Sequence, residues 1–195
     1  MDTREFFNNL ASNWSKYSTD EQIQKAKTLL DKLNIKEGSR VLDLACGTGV
    51  ISNTLYNYSK RNVIAIDLSD KMIEEAKRLN ENSHIKFLNE DFYTYNTIPF
   101  DYIVVYNAYP HFLELDKFKQ KLFDLLEENG KFMICHSLSR ETLKAHHSGE
   151  VSTISRDLKE VKEEASFYND LFDIEYAYED DNSYIIIGRK KCLEI

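Results

Sequence analysis

Apolar residues recur along this chain at two spacings, and each change of spacing marks an element. Phe6, Phe7, Leu10, Trp14 and Tyr17 fall three and four apart, which predicts an amphipathic helix over 2–17. Ile23, Ala26, Leu29, Leu30 and Leu33 predict a second helix that ends before Gly38. The pattern then becomes continuous. Val41–Ala45 is a short apolar run between two glycine-containing turns, the mark of a buried strand. Helical spacing returns over 49–58, Val63–Asp67 is a second buried strand, and Ser69 is placed to cap a helix running through Leu79 on the stripe Met72, Ile73, Ala76, Leu79.

Ile85–Leu88 predicts a third strand and Tyr102–Tyr106 a fourth, bracketed by Pro99 and Pro110. A helix over 115–128 stops at Asn129-Gly130 and leads into a fifth strand, Lys131–His136. Helices are expected over 139–147 and 157–169. Two last strands, 171–178 and 183–190, flank the turn signal at 179–183. Five strands alternating with helices imply a parallel sheet covered on both faces, an open doubly wound α/β fold closed by an antiparallel edge hairpin. A single domain is expected: N-terminal helices over 1–35 as a candidate lid, a cofactor-binding core over 36–138, and acceptor-side helices with the hairpin over 139–195.

Composition narrows the function. Glycine and proline together are eight of 195 residues, about 4% where ~12% is usual, so places where backbone can lie against a ligand are few. Gly47 and Gly49 sit one residue apart directly after the first strand, at the start of a helix whose first N–H groups are unpaired. Eighteen residues past Gly49 the second strand ends in Asp67, a carboxylate that can accept both hydroxyls of a ribose. Asp91 with Phe92, after the third strand, can pair with an amine-bearing base edge and cover its ring face.

The runs D-L-A-C-G-T-G, I-A-I-D-L-S-D-K-M-I and N-E-D-F closely resemble the class I S-adenosylmethionine-dependent methyltransferases over about residues 35–135. The resemblance implies a seven-stranded Rossmann-like sheet and S-adenosyl-L-methionine as cofactor. It implies that Asp43, Cys46, Gly47 and Gly49 surround the methionine part, Asp67 holds the ribose, Leu68 and Met72 flank the adenine, and Asp91 with Phe92 sits on the adenine edge. Asn107 would lie beside the methionyl or sulfonium portion. The stripe Phe6, Phe7, Leu10, Trp14, Tyr17 is expected either to pack on the sheet or, as the resemblance implies, to place Trp14 and Tyr17 on an N-terminal helix that closes over the cofactor. The rival is an NAD-type oxidoreductase, whose Gly-x-Gly-x-x-Gly fingerprint would need glycine where Ser52 stands. A catalytically silent regulator of the same fold is the reading from another class.

The net charge of −8 argues against a bulk nucleic-acid partner, because phosphate contacts need clustered Lys and Arg. Tyr106-Asn107-Ala108-Tyr109-Pro110 superficially resembles the Asn-Pro-Pro-Tyr signature of amino-methylating enzymes, but the consecutive prolines are missing. A small-molecule methyl acceptor is the expectation, methylated on sulfur, nitrogen, oxygen or a chalcogen-like heteroatom. His111 and His136 are the candidate bases, since imidazole titrates near neutrality. A divalent metal is the alternative use of His111, His136 and His147, three imidazoles being able to hold one at tetrahedral spacing. Arg140 reads as a carboxylate receptor or, more commonly, a surface ion-pair residue. Three scattered cysteines without a CxxC spacing, no signal-peptide pattern and no apolar run near ~20 residues make a cytoplasmic location the expectation, away from the membrane.

Overall fold

The computed structural model describes residues 2–14, 16, 19–146 and 149–192. They divide into two compact units, 1–96 and 97–195. The seven strands form one sheet of order β3-β2-β1-β4-β5-β7-β6. It is the doubly wound, mostly parallel α/β sheet with an antiparallel edge that the alternation of elements predicts.

The N-terminal unit contains α1 (Thr3–Trp14), α2 (Asp20–Leu30), β1 (Val41–Leu44), α3 (Ser52–Ser59), β2 (Val63–Asp67), α4 (Asp70–Leu79) and β3 (Ile85–Asn89). Its strands are parallel, with Leu42 opposite Ile64 and Ile64 opposite Lys86. All four residues of β1 are buried, whereas β3 alternates buried Ile85 and Phe87 with exposed Lys86, as befits the strand at the end of the order. Thr19 starts α2 with a reciprocal capping box: its hydroxyl accepts from Gln22 N–H and its own N–H donates to Gln22 Oε1, both at 3.3 Å. Ser69 caps α4 as its sequence predicts, accepting from Met72 N–H at 3.0 Å.

The C-terminal unit contains β4 (Phe100–Tyr106), α5 (Leu115–Leu125), β5 (Leu126–His136), α6 (Arg140–His146), α7 (Val161–Ser166), β6 (Phe172–Asp180) and β7 (Ser183–Lys190). β4 and β5 are parallel; β7 is antiparallel to both β5 and β6. Phe132 anchors the core, its ring 4.9 Å from those of both Tyr168 and Phe172. Each such fully buried ring contributes roughly 1.5–3 kcal/mol. Gly188 lies opposite Phe132 because a Cβ there would come within 2.5 Å of the ring.

Three expected boundaries shift. The helix over 115–128 ends at Leu125, because Leu126 already pairs with Phe100 and the register slips between Phe100 and Tyr102 to absorb the Asn129-Gly130 turn. Asn129 takes φ 62°, and a Cβ on Gly130 would meet the Glu127 carbonyl at 2.9 Å. The helix expected over 49–58 starts at Ser52, after the glycine turn has closed. The helix expected over 157–169 is confined to 161–166, the chain before it being drawn onto Glu164 by Arg156 and the Lys159 N–H. Tyr17 and His147 lie outside the described residues.

Candidate active site

The turn after β1 is built from left-handed backbone. Ala45, Gly47 and Gly49 have φ of 56°, 53° and 81°. Cys46 N–H donates to the Ile66 carbonyl at 3.0 Å, fastening the turn to β2, and Gly49 N–H returns to the Cys46 carbonyl at 2.9 Å. A Cβ on Gly49 would stand 2.8 Å from the Phe87 ring, so this glycine is fixed by packing as well as by φ. Gly47 is different: a Cβ there would meet only the indole of Trp14, with Nε1 at 3.6 Å. The open face of the turn therefore lies beneath α1. Thr48, between the glycines, is 3% exposed, and its hydroxyl has no hydrogen-bond partner among the described residues. A buried hydroxyl left orphaned in such a turn fits a site that a polar ligand completes.

Two carboxylates stand at the ends of β1 and β2. Asp67 Oδ2 accepts the Gly47 N–H at 2.8 Å and Oδ1 accepts the Ser69 N–H at 2.8 Å. Asp43, 1% exposed, accepts the Ser52 hydroxyl at 2.5 Å. Ser52, which stands where the dinucleotide fingerprint needs glycine, thus serves the carboxylate. Burial pushes Asp43 up to about 7, against the lowering effect of Ser52, with the charge of Asp67 raising it further. Burial also lifts Asp67 to about 6, against its two backbone hydrogen bonds. Cys46 is buried beside both, and burial followed by their charges pushes its thiol well up, so it stays protonated. A cationic ligand would relieve this concentration of buried negative charge.

The remaining N-terminal residues are placed as follows. Leu68 is half-buried, its carbonyl held by Asn89 Nδ2 at 2.9 Å. Met72 is 1% exposed and anchors the first turn of α4. Asp91 is half-buried and folds its carboxylate onto Tyr93 N–H at 2.9 Å, and Phe92 is buried with its ring 5.9 Å from that of Tyr93. Asp43, Cys46, Gly47, Gly49, Asp67 and Trp14 are drawn together around one turn.

In the C-terminal unit, Asn107 adopts φ 53° and ties the end of β4 to β5. Its N–H donates to the Cys135 carbonyl at 2.9 Å, and its side-chain oxygen accepts from Ser137 N–H at 2.9 Å. His111 is half-buried in a 3₁₀ turn spanning Tyr109–His111, with Nδ1 3.1 Å from the Ile154 carbonyl. His136, the candidate at the end of β5, is fully buried with its ring centroid 6.2 Å from that of Tyr184, because β4 and β7 flank this strand. Among the described residues no three His, Cys, Asp or Glu side chains gather to hold a metal, so His111 and His136 find no third ligand there. Arg140 pairs with Glu179 at 3.1 Å.

A buried network that the sequence did not announce lies next to His111. Glu164, 2% exposed, accepts from Tyr109 hydroxyl at 2.7 Å, from Arg156 at 2.7 and 3.1 Å, and from Lys159 N–H at 3.1 Å. Tyr168 hydroxyl donates to Tyr109 hydroxyl at 2.7 Å, and the Arg156 guanidinium stands 4.5 Å over the Tyr109 ring. Arg156 N–H also donates to the Pro110 carbonyl at 3.0 Å, so the network clasps the turn that carries His111.

Comparison with known proteins agrees with this geometry. The methyltransferase-domain family model matches residues 35–182. An uncharacterized methyltransferase of Schizosaccharomyces pombe is 31% identical over 134 residues, 61% of this chain and 47% of that protein. The chain spans about half or less of the length of the first curated relatives it matches. A chain from the complex between the Haloferax volcanii Trm112 methyltransferase activator and a methyltransferase superposes with a TM-score of 0.81 at 16% identity, covering 94% of this chain and 97% of that one. The N-methyltransferase NodS of Bradyrhizobium japonicum, solved with S-adenosyl-L-homocysteine, superposes with a TM-score of 0.72 at 17% identity, covering 96% and 98%. The chain belongs to the methyltransferase-domain family.

Proposed function

We propose that this chain transfers the methyl group of S-adenosyl-L-methionine to a small-molecule acceptor. The observation that carries the cofactor half is the Asp67 carboxylate, held 2.8 Å from Gly47 N–H in a left-handed turn roofed by Trp14. When bound, the cofactor supplies an electrophilic methyl on a sulfonium, so the protein mainly positions groups. Asp67 keeps a lone pair on each oxygen for the ribose hydroxyls. Gly47 lets backbone approach the methionyl portion, and Asp43 provides negative charge for its cationic groups. Asp91 and Phe92 take the adenine edge, Leu68 and Met72 flank the ring, and Asn107 is assigned to the methionyl end.

The acceptor half rests on His111. With Nδ1–H donated to the Ile154 carbonyl, the neutral ring carries its basic lone pair on Nε2, the tautomer suited to taking a proton from a thiol, amine or hydroxyl. His136, buried at the end of β5, is the second candidate base. The acidic balance of the chain supports a small acceptor over nucleic acid. Free Cys46, Cys135 and Cys192 suit the reducing cytoplasm. Among the described residues no helix is long and apolar enough to cross a membrane.

The test is a screen of thiols, amines and phenols that reads release of S-adenosyl-L-homocysteine. His111→Ala should lower kcat on the acceptor found while leaving S-adenosyl-L-homocysteine affinity unchanged. Asp67→Ala should weaken that affinity by roughly 10- to 150-fold, the worth of a charge-assisted hydrogen bond. Full turnover in His111→Ala would move the acceptor base elsewhere. Undiminished affinity in Asp67→Ala would remove the ribose assignment.

A further inference from the structure

The carbonyl that faces His111 belongs to a stretch of irregular backbone. Nδ1 lies 3.1 Å from the Ile154 oxygen, and a carbonyl can only accept, so that ring nitrogen carries the proton. Ile154 follows a 3₁₀ turn over Gly149–Thr153, and residues 154–160 run without helix or strand to the start of α7 at Val161. Ile154 buries its side chain, and two residues on, Arg156 ties the stretch to the turn that carries His111. Its N–H donates to the Pro110 carbonyl at 3.0 Å, and its guanidinium stands 4.5 Å over the Tyr109 ring. Both terminal nitrogens of that guanidinium close on Glu164, one on each carboxylate oxygen, at 3.1 and 2.7 Å.

Stability alone gives little reason for an ion pair here. The Glu164 side chain is 2% exposed and that of Arg156 18%, so both give up hydration to meet. Arg156 Nε is also buried, with no hydrogen-bond partner among the described residues. Apolar side chains of similar volume often serve such a place as well or better. What they do not supply is direction: a two-pronged pair fixes the angle of the guanidinium, and with it the backbone leading from Ile154. We propose that Arg156 is a positioning residue which, paired with Glu164, fixes the Ile154 carbonyl on His111 Nδ1 and so keeps the imidazole lone pair on Nε2. The place of the proton is a property of the free protein. Its effect on turnover rests on the reading of His111 as the base.

Long-range proton–nitrogen NMR spectra of histidine-labelled protein, at a pH where the ring is neutral, distinguish a protonated ring nitrogen from one with a lone pair. His111→Gln assigns the signals. Wild type should show His111 with its proton on Nδ1. Glu164→Leu/Arg156→Met removes both charges together and should let His111 relax to the mixed tautomers of a solvated imidazole. Its kcat on the thiol, amine or phenol that the screen selects should fall about 10- to 100-fold, with affinity for S-adenosyl-L-homocysteine unchanged. Arg156→Lys keeps a charge for Glu164 but not the fork, so it should show the same mixed spectrum with a smaller loss, and it decides the matter if the double variant does not fold. In a His111→Ala background the paired substitutions should cost no further activity, since a positioning residue acts only through the group it positions. A proton on Nε2 in wild type, or the wild-type tautomer in the folded variants, would overturn the proposal. A mixed tautomer with undiminished kcat, or a further loss in the His111→Ala background, would overturn its part in turnover. Full turnover in His111→Ala would sink the base reading instead, and the spectra of the free protein would then decide the positioning by themselves.

Discussion

Asp43 should make the free protein less stable as pH rises through neutrality, and Asp43→Asn should abolish the effect. The side chain is 1% exposed and accepts the Ser52 hydroxyl, so its ionised form loses water in exchange for that short hydrogen bond. Its folded value near 7 lies about three units above the ordinary 3.8. Between those values the folded state holds a proton that the unfolded chain has released. Unfolding free energy therefore falls as pH rises, and the full penalty is present above about pH 7. At 1.36 kcal/mol per unit, the penalty grows by about 2.5 kcal/mol between pH 5 and pH 8.

The asparagine is neutral throughout and can still accept from Ser52. Urea unfolding of both proteins at pH 5, 6, 7 and 8 reads the difference due to Asp43 together with its coupling to Asp67. Asp43→Asn should gain on wild type by about 2.5 kcal/mol across that range, while binding S-adenosyl-L-homocysteine more weakly. Ligand should flatten the wild-type profile, because a nearby cation favours the ionised carboxylate. Parallel profiles for the two proteins would refute the claim that burial governs Asp43.

The cluster around the turn after β1 was legible because its parts are local. A βα turn and two strand ends are fixed by residues within a few positions of each other, so Gly47, Gly49, Asp43 and Asp67 could be named from order alone. What escaped reading depends on distance. Asn8 meets Ser69 and Asp70 some sixty positions away, and its place on α1 carries no periodic signal, being neither apolar nor part of a run. Glu164 reads as one more acidic residue on a polar helix; only the fold brings Tyr109, 55 positions earlier, to its carboxylate. His136 was legible as a strand-end residue, but not its burial, which depends on β7 pairing with β5 from the far end of the chain. Ser52 could have been found, since a hydroxyl nine residues past Asp43 on the following helix faces back toward the strand end.

Two further substitutions probe packing. Gly49→Ala should cost on the order of 2–4 kcal/mol, combining left-handed backbone with a methyl 2.8 Å from Phe87, by thermal unfolding. Gly38→Ala, at φ 84° with nothing within 4 Å, carries only the backbone part, and equal losses in the two variants would show that Phe87 yields freely. Glu164→Ala should be the more damaging change in the C-terminal unit, at roughly 3–5 kcal/mol, because it strands the half-buried Arg156 charge and the Tyr109 hydroxyl together. The discriminating control is the double variant Glu164→Leu/Arg156→Met. If the cost comes from an unpaired charge, removing both partners should recover most of the stability lost by removing one. If the double variant is as unstable as Glu164→Ala, the network acts through the geometry it imposes on the Tyr109–His111 turn, and the electrostatic account of its strength fails.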